Sequence, residues 1–445
     1  MTQKTLLNGK VSRRTLVKGA AAAPVALGVA RGYSSAAAQD PTKLTVLTHW
    51  GQAAQKEPLE AIFQTYMDAN PGVEIELQTV EFAELLKRIT TGALGGDATD
   101  IYHIYNLWLP ELSGSDLLST PPESVSAEVT GAYPPGTVAG ASYADTVWGF
   151  PTEVNVYQMV YNKAMLEAAG VAVPSQLSEL RDAAKALTIK DGDNLTQAGF
   201  LFQATWDSGV VHPFTSLLWS NNGQYVNDDN TEVLFNQQPG VDVLQVETDI
   251  FADGSALTGV PEDGDFEAGR AAMTIMANWW GAQLKASDIG MENVGVAPIP
   301  VGEGGTSTAL QYEWLWTVSN ATANSEAAWN FLTWLNSPAS GDAASPAAGG
   351  ASSPMGDFLT SALNAIPGRT SDQDAHADVL GDDFVAPFVA ALATAKTEPI
   401  IPGAQEIKTG LQTQIESAWY GETDPQTALN TAADQANGIL AEKAG

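Results

Sequence analysis

Between residues 43 and 105 the hydrophobic pattern switches four times between the alternation of a strand and the stripe of a helix, and that alternation limits the possible folds sharply. Residues 43–49 set Leu44, Val46 and Leu47 among β-branched neighbours and read as a strand. Residues 58–70 put Leu59, Ile62, Phe63, Tyr66 and Met67 on one helical face, and Asn70-Pro71-Gly72 stops it. Residues 73–79 alternate, with Val73, Ile75 and Leu77 against Glu74, Glu76 and Gln78. A helix is predicted next over 82–91 with Leu85, Leu86 and Ile89 inward, ended by the glycines of 92–96, and 101–105 is the next strand. Strand, helix, strand, helix, strand predicts an α/β chain with a mainly parallel sheet and right-handed crossovers. In such sheets ligands sit at strand ends. The ends here carry Trp50 and Gln52, then Glu81, then Tyr105, Asn106 and Trp108.

The rest of the chain continues in the same vein. Residues 121–149 read as loop-rich, because of Pro121-Pro122 and Pro134-Pro135-Gly136. Short strands are predicted at 158–161, 200–203, 294–299 and 312–318, with Trp206 just past the second and Tyr312 and Glu313 opening the last. Helices are predicted at 164–169, 177–187, 213–222, 240–251, 325–335 (capped by Ser325), 405–419 and 425–443. Residues 339–354 are small and rich in Gly, Ser and Pro, the composition of a linker.

Residues 266–280, FEAGRAAMTIMANWW, hold the sharpest strand end. An exposed turn leads into an apolar run, 271–276, which stops at Asn278-Trp279-Trp280-Gly281. Two indoles and an amide at a strand end supply flat faces and hydrogen-bonding groups. In an extended segment successive side chains alternate, so at least one of the two tryptophans is expected to face outward.

Residues 1–38 are read as a signal rather than part of the fold. Five basic residues within 1–18, an apolar stretch over 19–30 and Ala36-Ala37-Ala38 make a basic region, an apolar region and a cleavage site. Ser12-Arg13-Arg14-Thr15-Leu16-Val17-Lys18 is similar to a twin-arginine export signal, so a secreted, extracytoplasmic protein is expected. Six of the 20 basic residues and none of the 52 acids lie within 1–38, so residues 39–445 carry 14 basic against 52 acidic residues, a formal charge of −38. That field excludes nucleic acid and anionic membrane surfaces as partners and disfavours anionic ligands. Scattered acids with few lysines are also the pattern of secreted proteins from salt-loving organisms, whose self-repulsion strong salt screens. With no cysteine there is no disulfide, thiol chemistry or lipid-modified cysteine.

Taken in order, residues 43 to the C-terminus resemble the extracellular solute-binding proteins of ABC importers, in the maltose-binding-like, sugar-binding group. The resemblance rests on Thr99-Asp100-Ile101 after a Gly-rich helix end, on Phe150-Pro151 through Tyr161-Asn162-Lys163, on Phe266, Gly269, Ala272-Met273 and Trp279, and on Val294-Gly295-Val296 with Pro298 and Pro300. Gln176-Leu177 depart from the Thr-Trp often found there. The resemblance implies a two-lobe α/β fold with a hinge, ligand bound between the lobes and closure on binding. Lobe one would be 42–149 plus 301–336 and lobe two 150–300 plus 337–445. It implies ligand contacts at Trp279, Asn155, Trp206 and Tyr105-Asn106. Strand-end position alone adds Trp50, Gln52, Glu81, Trp108, Asn278, Tyr312 and Glu313. The expected partners are a sugar or oligosaccharide and the permease's transmembrane subunits, with the protein itself a monomer and without cofactor or metal.

Sugars have apolar ring faces and a rim of hydroxyls, which indoles and Asn, Gln, Asp and Glu side chains complement. Twelve tryptophans in an acidic chain suit a neutral carbohydrate. A cationic ligand such as a polyamine is the alternative among binding proteins. A secreted glycoside hydrolase would need two carboxyls flanking one bond. Glu81, Glu153 and Glu313 are candidates, but no local pattern singles out two of them. His49, His103, His212 and His376 lie far apart in the chain, without H-E-x-x-H spacing, so no zinc site is expected.

Overall fold

The computed structural model describes residues 41–338 and 351–443; the signal expected over 1–38 and most of the linker expected over 339–354 lie outside the described residues. Its frame is one sheet of 12 strands. The main path runs Val73–Thr79, Thr42–Thr48, Ile101–Tyr105, Leu310–Val318, Phe150–Asn162, Ala271–Ala277, Asn194–Gln203 and Ile189–Asp191.

The expected parallel order holds within a block on each side of this path, apart from the terminal Ile189–Asp191, which runs antiparallel to Asn194–Gln203. Thr42–Thr48 lies parallel to Val73–Thr79 and Ile101–Tyr105, and Ala271–Ala277 parallel to Asn194–Gln203. Two antiparallel strands join these blocks in the middle. Leu310–Val318 pairs with Ile101–Tyr105 on one side and Phe150–Asn162 on the other. The 13-residue strand Phe150–Asn162 is shared: Phe150 pairs with Trp316, while Tyr161 pairs with Met273 in the second block. A third link is Lys396–Thr397, which runs beside Leu310 and Gln311. Two apolar cores result. One centres on Phe63, Phe331, Trp316 and Phe358 on one side of the first block, and the larger begins at Leu47, Leu85, Tyr102 and Ile104 of that block and continues through the second.

Four sequence expectations need correction. Residues 121–149 are not mainly loop: Glu123–Ala132 and Pro135–Gly140 are helices, with Pro122 at the cap of one and Pro135 in the first turn of the other. Proline is at home there because the first N–H groups of a helix have no internal partner. The short strand at 158–161 is the end of Phe150–Asn162. Thr152, Glu153, Asn155 and Gln158 broke its apolar run in the sequence, yet all four are buried. The first helix begins at Ala53 rather than 58, because the Gln52 carbonyl accepts the backbone N–H groups of Gln55 and Lys56. Ser325 is the first helical residue, and the cap position is Asn324.

Candidate functional site

The strand Ala271–Ala277 ends in a 3-10 turn, Asn278–Trp280, not in extended chain. The alternation expected of the two tryptophans therefore fails as a reason, although they do part company. Trp280 is 1% exposed and packs on Phe266 with centroids 5.2 Å apart. Trp279 is half-buried and meets Trp206 edge-on at 5.9 Å. Asn278 serves the backbone: its Oδ1 accepts from Val156 N at 2.8 Å and its Nδ2 donates to Val154 O at 3.3 Å. It thus fixes this turn to the shared strand Phe150–Asn162.

From Trp279 a run of rings crosses the molecule. The Trp279 indole lies near the Tyr312 hydroxyl. Tyr312 meets Tyr105 at 5.3 Å and His212 at 5.1 Å. Tyr105 meets Trp108 at 5.7 Å and Trp314 at 5.8 Å. Phe82 closes the run, 6.2 Å from Trp108 and 5.9 Å from Trp314. The middle members are buried, whereas Phe82 is 37% exposed and Trp206 and Trp279 are half-buried. Strand geometry explains the selection: residues 312 and 314 share one face of Leu310–Val318, and 311 and 313 share the other.

A polar cluster fills the centre. Lys408, on the helix Ala404–Trp419, donates to Tyr105 Oη at 2.9 Å and Ser208 Oγ at 2.8 Å. It also reaches His212 Nε2 at 2.6 Å and pairs with Glu398 Oε1 at 3.0 Å. The Tyr105 hydroxyl donates to the other Glu398 oxygen. Burial and the adjacent ammonium push the His212 pKa well below its usual value, so the imidazole is neutral. Burial raises the Glu398 carboxyl while Lys408 opposes it. Beside this cluster, Trp108 Nε1 donates to Gln405 Oε1 at 3.0 Å and Gln405 Nε2 to Asp207 Oδ2 at 2.6 Å.

The sequence-selected residues thus fall into two groups. Tyr105, Trp108, Tyr312, Trp206 and Trp279 come together, and Asn155 joins them as the cross-strand partner of Tyr312, buried with its Oδ1 unpaired. Gln52 and Glu81 are exposed at helix caps, Glu81 next to Phe82. Trp50 packs into the core against His103 at 4.1 Å and Phe358 at 5.1 Å. Glu313 and Asn106 pair with each other: Glu313 takes hydrogen bonds from Asn106 Nδ2 at 2.9 Å and Gln311 Nε2 at 2.8 Å. Any Cβ on Gly140 would collide with the Glu313 carboxyl, and burial raises that carboxyl's pKa to about 8. Distance in sequence misled for the histidines, since His49 and His103 stack at 5.5 Å. Among the described residues, however, no three of His, Asp and Glu are grouped as metal ligands.

Sequence reasoning missed Phe82, Trp314, Asp207, His212, Glu398, Gln405 and Lys408. Two of them left a signal. Trp314 lies two residues after Tyr312 and so shares its face. Lys408 interrupts the buried stripe of Ala404, Ile407, Leu411 and Ile415, where only a paired charge is tolerated.

An open groove of about 560 Å³ runs between Leu107–Ser115 and Ile401–Thr409, but Tyr143 is the only aromatic side chain lining it. The rings are concentrated elsewhere. No described helix is long and apolar enough to cross a membrane.

The profile of the bacterial extracellular solute-binding proteins matches residues 50–342. The maltodextrin-binding protein of Bacillus subtilis (strain 168) is 23% identical over 438 residues, covering 95% of this chain and 97% of that one. The fold matches the GacH receptor of Streptomyces glaucescens GLA.O, solved unliganded and with acarbose, at TM-score 0.76 and 21% identity, over 90% of this chain and 99% of the other. A solute-binding protein of an ABC transporter from Thermotoga lettingae TMO, solved with α-D-tagatose, matches at TM-score 0.75 and 21% identity, over 90% and 100%. The fold is therefore the two-lobe, maltose-binding-protein-like α/β fold.

Proposed function

The chain belongs to the bacterial extracellular solute-binding proteins, and we propose that it captures a neutral carbohydrate between its two lobes and delivers it to the transmembrane subunits of an ABC importer. One observation carries the choice of ligand: the run of rings from Phe82 to Trp206, accessible at both ends, draws on both lobes. Rings of this kind take the apolar faces of a sugar, and Asn155, Gln52 and Glu81 offer polar groups for its hydroxyls. Trp279, Trp206, Tyr312, Tyr105 and Trp108 are the proposed contacts, with Trp50, Asn106, Asn278 and Glu313 supporting them from behind. The relatives that bind maltodextrin, acarbose and tagatose support the same class. Lys408 at the centre weighs against a polyamine, because a second cation there would be repelled.

Lobe one is assigned to 42–149 plus 301–336 and lobe two to 150–300 plus 337–445, with residues 1–38 as a twin-arginine signal and the mature protein a monomer. A melting-temperature screen of the full chain in molar salt tests the ligand. At least one neutral mono- or oligosaccharide should raise the melting temperature; saturation at a hundred times Kd contributes about 2.7 kcal/mol. That sugar should be recovered intact after incubation. Cleaved product would favour a hydrolase, and a shift with spermidine alone a cation-binding protein.

Salt supplies an independent prediction. At −38 beyond residue 38 the chain repels itself, and counterions weaken that repulsion. The melting temperature should climb from dilute buffer to molar sodium chloride. A flat response would remove the case for a salt-loving habitat.

A further inference from the structure

Among the described residues Lys408 is the only lysine or arginine that is buried, with its side chain 1% exposed. Its partners come from three separate parts of the fold. Tyr105 ends a strand of the first block. Ser208 and His212 lie on Asp207–Ser220, the helix next in the chain after Asn194–Gln203 of the second block. Glu398 directly succeeds Lys396–Thr397, the third link across the middle of the sheet. One ammonium, carried by the second lobe, therefore hydrogen-bonds across to Tyr105 of the first lobe while it holds Ser208, His212 and Glu398 of its own.

Such a group is stable only when every partner is in place. Taking an ammonium and a carboxylate out of water costs several kcal/mol for each ion, and the pair offsets this only with its full set of hydrogen bonds. Parting the lobes would carry Tyr105 away from Lys408 and His212 and leave buried charge underpartnered until water entered. The Trp108–Gln405–Asp207 chain spans the same gap with neutral donors and one carboxylate. We infer that Lys408 and Glu398 form a tie between the lobes that favours the closed arrangement before any ligand arrives, and that Lys408 is thereby a positioning residue for ligand capture. A ligand then works against a smaller conformational cost, since apparent affinity scales with the fraction of molecules already competent to bind.

The inference rests on the two-lobe capture reading but not on which ligand is captured, so its test uses no sugar. The chain has no cysteine, so Leu94→Cys and Ile189→Cys, both at exposed positions in different blocks, accept a dye pair without competing thiols. Single-molecule energy transfer on the ligand-free full chain should give one high-transfer population. Adding Lys408→Met should move at least half the molecules to lower transfer while far-UV circular dichroism stays native. Glu398→Gln should shift the population in the same direction. Unchanged transfer in both variants, with or without a lower melting temperature, would overturn the tie and leave Lys408 a core polar group. If Lys408→Met does not fold, the Lys408→Gln, Glu398→Gln double variant is read by the same criteria. A failure of every sugar in the melting screen would leave this result untouched, so the two readings fail separately.

Discussion

Replacing Trp280 by alanine is expected to lower stability by roughly 3–5 kcal/mol, the cost of removing a large aromatic from a packed core. The indole is 1% exposed and lies against Phe266, which is itself fully buried. The 3-10 turn holds it there, because Asn278 anchors the turn to the backbone at Val154 and Val156. Little side-chain rearrangement can fill the space that alanine leaves. Thermal or denaturant unfolding of Trp280→Ala measures this directly. The ligand affinity of the molecules that remain folded should stay close to that of the parent.

Trp279→Ala should behave in the opposite way. Its ring is half-buried between Trp206 and the Tyr312 hydroxyl, at the accessible end of the ring run. An aromatic that stacks on a ligand in a desolvated site contributes on the order of 2 kcal/mol, or about thirtyfold in affinity. Calorimetric titration with the sugar that raises the melting temperature most should show that loss, and the unfolding midpoint should drop far less than for Trp280→Ala. Should Trp279→Ala melt as low as Trp280→Ala and bind normally, the ring belongs to the core and not to the ligand.

The contrast between these neighbours marks what the sequence could and could not convey. Local period was enough for the first block: Val73–Thr79 and Ile101–Tyr105 form over the expected residues. It failed for Phe150–Asn162, because a strand covered on both faces buries Thr152, Glu153, Asn155 and Gln158 alike, and Thr152 does so on His103 and the Trp314 carbonyl, long-range partners that no local pattern announces. The strand end at Ala277 was legible, but the turn beyond it was not, and the turn decides which indole is buried and which stays partly exposed. Glu313 looked available as a carboxylate at a strand end, whereas its placement opposite Tyr312 on the strand sends it to Gln311 and Asn106. The tie at Lys408 depends on a hydrogen bond to Tyr105 across 303 positions of chain. A lysine on a buried stripe can be noticed in the sequence, yet its partners emerge only once both lobes are folded.

Capture between the lobes is tested best by a crystal structure of the protein with the sugar that raises its melting temperature most. Sugar density is expected between the lobes, with one ring stacked on Trp279 or Trp206 and hydroxyls within hydrogen-bonding distance of Asn155, Gln52 or Glu81. Sugar bound only on an outer surface of one lobe, away from Trp279 and Trp206, would contradict capture between the lobes.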